Sequence, residues 1–463
     1  MSDLDLVVIG AGPGGYVAAV RAAQLGLNVA IVEKDAPGGV CLNWGCIPSK
    51  NLIHQAEMYH DLTAMESVGV TVDRSTLDYA AVQAGSRDVV KTLTGGVAGL
   101  LKRHKVDYIQ GTAKITGKGE VTIDGGQKLQ AGNILVATGS RPMSVPGFEF
   151  DEQQVLSSSG ILGMTELPDS LLILGAGAIG CEFAYVMNSF GVRVTLVEAL
   201  EHILPTEDFE SCAILDGELR RAGIDVRVGT RADKLVCGKE GVSATLLSAD
   251  GSTETVVASK ALVVFGRVPN TADIGLREMG VKLDQRGYVQ VGDYCQTSAS
   301  GIYAIGDITS TPALAHVASA EGEMAVEHMA GLEPHRKTVD PDIVPSAIYC
   351  EPQLAGFGLR EDRAKAEGKQ VKKSVFKYAG AGKTIAVGKP VGLVKVLCDP
   401  DTDELLGAHI VGHNATELLH ELLLARSAEL LPEDIGGMIH AHPTVAEAVM
   451  EAMRGVNGKP IHG

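Results

Sequence analysis

The chain runs to 463 residues, 45% hydrophobic and 21% charged, which supplies two or more apolar cores and excludes a mainly disordered state. Forty basic against 57 acidic side chains leave a net charge of −17, which excludes an extended phosphate-backbone footprint, so no nucleic-acid partner is expected. Eight scattered cysteines are too few for a disulfide scaffold. No window reaches the roughly 18 consecutive apolar residues of a membrane-spanning helix. The N-terminus carries no basic leader, so a cytoplasmic protein with no membrane partner is expected.

In chain order, Leu6-Val7-Val8-Ile9 reads as a buried strand running into the turn Gly10-Ala11-Gly12-Pro13-Gly14-Gly15. A helix from Ala18 to Leu25 stops at Gly26, and a second strand, Val29 to Val32, ends at Glu33. The same unit returns as Leu171 to Leu174, a turn with Gly175, Gly177 and Gly180, a helix ending near Gly191, and Val194 to Val197 before Glu198. In both copies the glutamate lies 18 positions beyond the third glycine. One G-x-G-x-x-G alone is a weak signal. Two copies, each between a strand and a helix and followed by a strand ending in Glu, predict two dinucleotide-binding βαβ units. The glycines let backbone approach a pyrophosphate, the helix start supplies amides and positive dipole, and the glutamate accepts from ribose hydroxyls.

Between the two units, Arg141-Pro142 and Val145-Pro146-Gly147 break the chain, and Arg267-Val268-Pro269-Asn270 marks an exit from the second. A β-rich stretch from Asp284 to Asp307 and a proline-bearing linker from Gly331 to Pro345 follow. Strands at Gly392 to Leu397 and Gly407 to Val411, then a helix from Ala415 to Leu430, predict an α+β third domain.

The chemistry-bearing residues cluster in two places. Cys41-Leu42-Asn43-Trp44-Gly45-Cys46-Ile47-Pro48-Ser49-Lys50 follows the first unit, and its Cys-x4-Cys spacing has no second Cys/His pair nearby to complete a zinc site. A redox disulfide explains the pair better than two inert cysteines, with both sulfurs placed within one turn at a helix start that stabilises thiolate. Near the C-terminus, His440-Ala441-His442 with Glu447 suits a metal, a satisfied surface pair or acid–base catalysis, and the residues alone leave these open. His409 and His413 flank a strand and read as structural. Gly380 to Thr384 has Lys377 where a phosphate loop needs glycine, so no P-loop is expected.

The stretch Cys41 to Lys50, taken with both glycine turns, resembles the flavoprotein disulfide reductases that carry two dinucleotide sites. Within them it is most similar to the branch that acts on dihydrolipoyl groups, whose pattern C-L-N-x-G-C-I-P-S-K is matched with Trp44 at the free position. The Val-Asn and Lys-Lys of glutathione reductases are absent, and so is the C-terminal cysteine pair of mercuric reductases. The resemblance implies FAD and NAD as cofactors and a redox disulfide between Cys41, the interchange cysteine, and Cys46, against the flavin. Ala137 to Pro142, with Thr138 and Gly139, resembles the turn closing the first FAD segment. Thr297 to Asp307 resembles the second FAD motif, with Asp307 on the ribitol chain. Ala315-His316 followed by Glu321-Gly322 resembles the helix beside the flavin, and Ala113 and Gly266 join the expected cofactor-binding residues. Lys50 and Glu182 match an ion pair near the flavin, and His440 to Glu447 matches the C-terminal signature, with His442 as acid–base group and Glu447 orienting it.

The implied fold is α/β: two Rossmann-like dinucleotide-binding domains plus a C-terminal α+β dimerisation domain. Its divisions are expected at residues 1–145 (FAD, first part), 146–271 (NAD), 272–340 (FAD/central, second part) and 341–463 (interface). Glu198, with Ala199, Leu200 and Glu201 beside it and no arginine, favours NAD over NADP. The implied activity is oxidation of dihydrolipoyl groups by a homodimer in which His442 meets the cysteine pair of the other subunit. With no lipoyl segment ahead of Met1, the partner is expected to be a separate lipoyl-bearing carrier or a 2-oxoacid dehydrogenase complex core. The alternatives are an NAD(P)H-dependent reductase of another small disulfide such as glutathione, and a scaffold that binds FAD only for folding.

Overall fold

The computed structural model describes residues 4–239 and 241–462. Contacts group them into two compact units, one of residues up to Asn51, Ala80–Met143 and Phe265–Val339, the other of Leu52–Tyr79, Ser144–Val264 and Asp340 onward.

In the first unit the sheet is parallel in the order Asp107–Gln110, Val29–Glu33, Leu4–Ile9, Gln127–Val136 and Ile302–Ala304. Glu120–Ile123 and Ala113–Gly117 extend it as an antiparallel meander beyond Gln127–Val136. Leu6 to Ile9 and Val29 to Val32 are buried without a break, because elements cover both faces of the sheet. One cover is the helix Pro13–Gln24, where proline at the first position suits the fixed backbone angle of a helix start and Ala18, Ala19 and Ala22 form a thin buried face. That thinness lets the helix Ala315–Met329 cross closely: a Cβ on Gly14 would lie 2.8 Å from the Ala318 carbonyl, and one on Gly322 would lie 2.7 Å from the Gly14 carbonyl.

The second unit holds another parallel sheet, ordered Asp225–Arg227, Arg193–Val197, Ser170–Leu174, Lys260–Val263 and Val155–Leu156. Beside it stands an antiparallel meander of Thr230–Gly238, Gly241–Ser248 and Thr253–Ala258. Its C-terminal part is a five-stranded antiparallel sheet, Ser346–Ile348, Gln353–Gly358, Leu405–Gly412, Leu393–Cys398 and Lys372–Lys377. Helices Ala415–Ser427 and Glu447–Val456 share its apolar core through Leu419, Leu422, Ala448, Val449, Ala452 and Met453.

A buried ion cluster lies inside this unit. The Lys395 side chain is 1% exposed, with Nζ 2.8 Å from Asp208 Oδ2, 2.8 Å from Glu361 Oε2 and 3.3 Å from Glu210 Oε2. Asp208 also caps the helix Phe209–Arg221 by accepting from the Ser211 amide. His409 is buried with Nε2 2.9 Å from the Leu359 carbonyl, a structural setting as the sequence suggested. Among the described residues no helix is long and apolar enough to cross a membrane.

Candidate active site

The two glycine turns are built alike. Gly10 and Gly175 have φ of +102° and +107°, and a Cβ on them would press on the carbonyls of Ala137 and Val264 at 2.4 and 2.7 Å. Gly15 and Gly180 serve packing, since a Cβ on either would lie 1.9 Å from the carbonyl of the first glycine of its own turn. Gly12 and Gly177 differ: a Cβ there would meet nothing within 4 Å. Each stands at the N-cap of a helix with no side-chain cap, so backbone amides face an open approach. This is the shape a pyrophosphate requires, and both turns fit a dinucleotide.

Glu33 and Glu198 take up a role the sequence did not suggest. Glu33 Oε2 accepts from the Ala11 amide at 2.7 Å and Oε1 from the Asp35 amide at 2.9 Å. Glu198 repeats this, with Oε2 on the Ala176 amide at 2.8 Å and Oε1 on the Leu200 amide at 3.0 Å. Both side chains are buried and hold the glycine turn from beneath. Each carboxylate oxygen keeps a lone pair to offer a ribose hydroxyl.

The redox stretch rests directly on the first turn. Gly38 donates its amide to the Ala11 carbonyl at 2.8 Å. Gly39, at φ +57°, lies so near that a Cβ on it would be 2.7 Å from the Cα of Gly12. Cys41 is the third residue of the short helix Gly39–Trp44, and Cys46 opens the long helix Cys46–Asp61. The two sulfurs therefore do not share one helix start as expected, because Gly45, at φ −152° and ψ −113°, breaks the chain between them. Only Cys46 sits at a long-helix N-terminus. A hydrogen bond with the Cys46 sulfur, then burial, pushes the Cys41 thiol well up, while the Lys50 charge pulls it down.

Around Thr138 and Gly139 the chain is stitched to a segment far away in sequence. Thr138 Oγ1 donates to the Asn270 carbonyl at 2.7 Å, and Asn270 Nδ2 returns a bond to the Thr138 carbonyl at 3.0 Å. The Asn270 amide donates to the Gly139 carbonyl at 2.9 Å. Strands Ser140–Pro142 and Arg267–Pro269 pair antiparallel. Arg267 Nε donates to Ser140 Oγ at 2.7 Å, and Ser140 Oγ donates to Asp307 Oδ2, with Arg267 and Asp307 3.9 Å apart. Asp307 is thus fixed in place, and it is joined by Arg267 and Asn270, which the sequence marked only as a chain exit, and by Ser140, marked only as part of a turn. Gly266, at φ +137°, accepts from the Met143 amide at 3.0 Å, and Ala113 opens its strand with its methyl in the core. Ala315 begins the helix Ala315–Met329, in which the buried Glu321 accepts from the Gly306 amide at 2.7 Å.

In the second unit Glu182 is buried on the helix Ala178–Ser189, and its Oε1 accepts from the Tyr349 amide at 3.2 Å. Lys50 lies in the first unit, on the opening turns of Cys46–Asp61. His442 and His440 have opposite settings. The His440 side chain is 3% exposed with Nε2 2.9 Å from Glu421 Oε1, whereas that of His442 is 76% exposed with Nδ1 2.9 Å from Glu447 Oε1. Glu447 opens the helix Glu447–Val456 and also accepts from the Thr444 amide at 2.9 Å. The His442 hydrogen bond first, and the Thr444 amide second, hold its carboxyl below the usual range. An ionised Glu447 makes Nδ1 the protonated nitrogen and leaves Nε2 with a free lone pair.

The chain matches the family of pyridine nucleotide-disulphide oxidoreductases over residues 4–322, and that family's dimerisation domain over residues 344–453. It is 41% identical over 475 residues to a dihydrolipoyl dehydrogenase of Bacillus subtilis, covering 100% of this chain and 99% of that one. A dihydrolipoyl dehydrogenase of Thermus scotoductus is 43% identical over 464 residues, again covering 100% and 99%. Among solved structures, LpdA from Mycobacterium tuberculosis superposes with a TM-score of 0.90 at 25% identity, over 97% of this chain and 99% of that one. The chain belongs to the pyridine nucleotide-disulphide oxidoreductases. Members of this family use FAD and NAD, and the two glycine turns are where this oxidoreductase has room for them. The two further glycines that seat the redox helix, Gly38 and Gly39, were visible as a pair just ahead of Val40-Cys41.

Proposed function

We propose that this chain oxidises dihydrolipoyl groups carried on a separate lipoyl-bearing protein or 2-oxoacid dehydrogenase core, and delivers the electrons to NAD+. The observation that carries the reading is the Cys41–Cys46 pair, its sulfurs in hydrogen-bonding reach from two consecutive helices, the first of which starts against the first glycine turn. The chain acts as a homodimer, two copies meeting through the segment of the dimerisation domain, where Leu424, Met438 and Ile439 expose apolar side chains. Residues 1–145 and 272–340 hold FAD, 146–271 hold NAD, and 341–463 form the interface.

His442 Nε2 takes the proton of one substrate thiol. The resulting thiolate attacks Cys41 Sγ, the Cys41–Cys46 bond breaks, and Cys46 leaves as thiolate. The second substrate thiol attacks the substrate sulfur of the mixed disulfide, closing the dithiolane and releasing Cys41 as thiol. Glu447 holds the imidazole in the tautomer that accepts this proton and stabilises the imidazolium. FAD supplies a two-electron carrier between the cysteine pair and the nicotinamide. Gly10, Gly12, Gly15, Glu33, Ala113, Thr138, Gly139, Asp307 and Ala315 hold FAD, and Lys50 sets the charge near its ring. Gly175, Gly177, Gly180, Glu198 and Gly266 hold NAD.

The test is NAD+ reduction driven by free dihydrolipoamide and by purified lipoyl proteins, run beside NADPH oxidation by glutathione disulfide. Turnover with the dihydrolipoyl donors supports the reading. Turnover with glutathione disulfide alone overturns it in favour of a small-disulfide reductase.

A further inference from the structure

Arg87 is distant from the redox turn in sequence and reaches its middle in space. From the helix Tyr79–Arg103, its Nη1 donates to the Asn43 carbonyl at 2.7 Å, and its guanidinium carbon lies 4.4 Å from the centre of the Trp44 ring. Asn43 and Trp44 are consecutive residues between the two cysteines. The Asn43 carbonyl falls in the last turn of a six-residue helix, where carbonyls have no partner within the helix. Asn43 also ties the turn backward, its Nδ2 donating to the Pro37 carbonyl at 3.1 Å and the Gly39 carbonyl at 2.9 Å. The segment is thus held from one side by its own side chain and from the other by an arginine of a different helix.

We propose that Arg87 is a positioning residue for the redox pair, clamping Asn43 and Trp44 so that reduced Cys41 and Cys46 stay at closing distance. The proposal rests on the redox-pair reading above. Reduction of the disulfide takes up two electrons and two protons and breaks the only covalent tie between the sulfurs. In an unheld turn the dithiol would then gain conformational freedom that re-closure must remove. A turn gripped from outside gains little, so its dithiol closes more readily and the equilibrium favours the disulfide. A guanidinium suits the task, because its face stacks on an indole while its in-plane N–H meets a carbonyl. Lysine offers no such plane.

The test equilibrates the full-length flavoprotein in dithiothreitol redox buffers, traps thiols by alkylation and reads the Cys41–Cys46 state by mass spectrometry. Arg87→Ala is expected to shift the constant about tenfold toward the dithiol, about 30 mV more positive for two electrons. Arg87→Lys is expected to recover only part of it, and Trp44→Phe, which keeps a ring to stack on, stays near the unmodified value. Trp44→Ala removes the other half of the clamp and shifts the constant in the same direction, giving a second route should Arg87→Ala fold poorly. Trp44 is the one tryptophan of the chain, so a red shift of its emission in Arg87→Ala reports this turn alone. An unchanged constant in both alanine variants, with the pair still titrating, overturns the clamp and leaves the redox pair standing. A chain in which no Cys41–Cys46 disulfide forms overturns both.

Discussion

Gly39 and Gly12 approach so closely that a Cβ on Gly39 would lie 2.7 Å from the Cα of Gly12. The redox helix therefore starts on the backbone that is open toward the first dinucleotide, and no side chain fits between them. Gly39→Ala has to place a methyl there at φ +57°, a left-handed conformation that costs an L-residue about 1–2 kcal/mol before any clash. The expected outcome is a lower flavin-to-protein ratio and a lower melting temperature. Flavin content equal to that of the unmodified protein would refute this coupling.

Cys41→Ser is expected to keep flavin, since the turn beneath it is held by glycines and by Glu33, and to lose dihydrolipoamide oxidation altogether. His442→Gln is expected to lower kcat by roughly 10²–10⁴, the range of general acid–base contributions. If the two groups meet across a two-fold axis, each parent homodimer is nearly inactive. A purified heterodimer of the two variants then holds one intact centre and recovers up to about half of normal turnover. Heterodimers as inactive as their parents would place histidine and cysteines within one subunit.

Glu447→Ala removes the group that fixes the His442 tautomer while leaving the imidazole in place. Its kcat is expected to fall less than that of His442→Gln, with KM for dihydrolipoamide little changed. Equal losses in both variants would mean that Glu447 does more than orient.

Coenzyme choice is tied to the turn itself. Glu198→Gln keeps one oxygen for the buried Ala176 N–H, turns an NH2 toward the Leu200 N–H and removes the charge, so NAD binding should weaken while the melting temperature falls less than in Glu198→Ala. Glu198→Ala leaves that N–H unpaired, a penalty of about 1–3 kcal/mol that thermal unfolding should register. Adding Ala199→Arg to Glu198→Gln supplies a partner for a 2′-phosphate and should raise NADP use. An unmodified enzyme that already prefers NADP+ would defeat the charge argument.

Lys395 neutralises Asp208 in a setting where both side chains are almost wholly buried. Lys395→Met leaves that carboxylate unpaired and is expected to cost about 3–5 kcal/mol, seen as a lower unfolding midpoint. Hydrogen bonding from Lys395 brings the Glu361 carboxyl down to about 2. A depressed folded value contributes stability that is complete above the ordinary Glu range, about 4.3, and is lost as pH falls from there. Glu361→Gln should flatten the melting curve against pH in that window.

The parts of this molecule legible in sequence are those encoded by short spacings. Gly10 to Glu33 and Gly175 to Glu198 each complete a strand, turn, helix and strand within one local unit, and the glycines have no substitute at those backbone angles. Cys41 and Cys46 could be named because two cysteines stand close together in sequence, whereas His442 and Glu447 were named through the resemblance of the whole His440 to Glu447 stretch. What stayed hidden depends on distance or on one backbone angle. Nothing local reveals that Glu33 and Glu198 bend back to amides of their own turns, or that Gly45 puts the two cysteines on separate helices. Arg267, Asn270 and Ser140 find each other only when two strands more than a hundred residues apart pair. The Lys395 cluster likewise joins residues far apart in sequence, with Lys395 itself set between the buried Val394 and Val396.

The crossing of helices Pro13–Gln24 and Ala315–Met329 at Gly14 and Gly322 has a consequence for how the protein is made. The first unit is assembled from three separated stretches, and the last of them covers a helix laid down near the very beginning. On a ribosome elongating at about 5–20 residues per second, the interval between emergence of Met143 and of Gly322 is roughly 10–40 s. Through that time the alanine face of the first helix has no cover. The second unit's central stretch, Ser144–Val264, meanwhile holds a whole parallel sheet and can gain order first. The contact at Gly14 and Gly322 thus closes only after the whole Ser144–Val264 stretch has been made, although its first partner is among the first residues made.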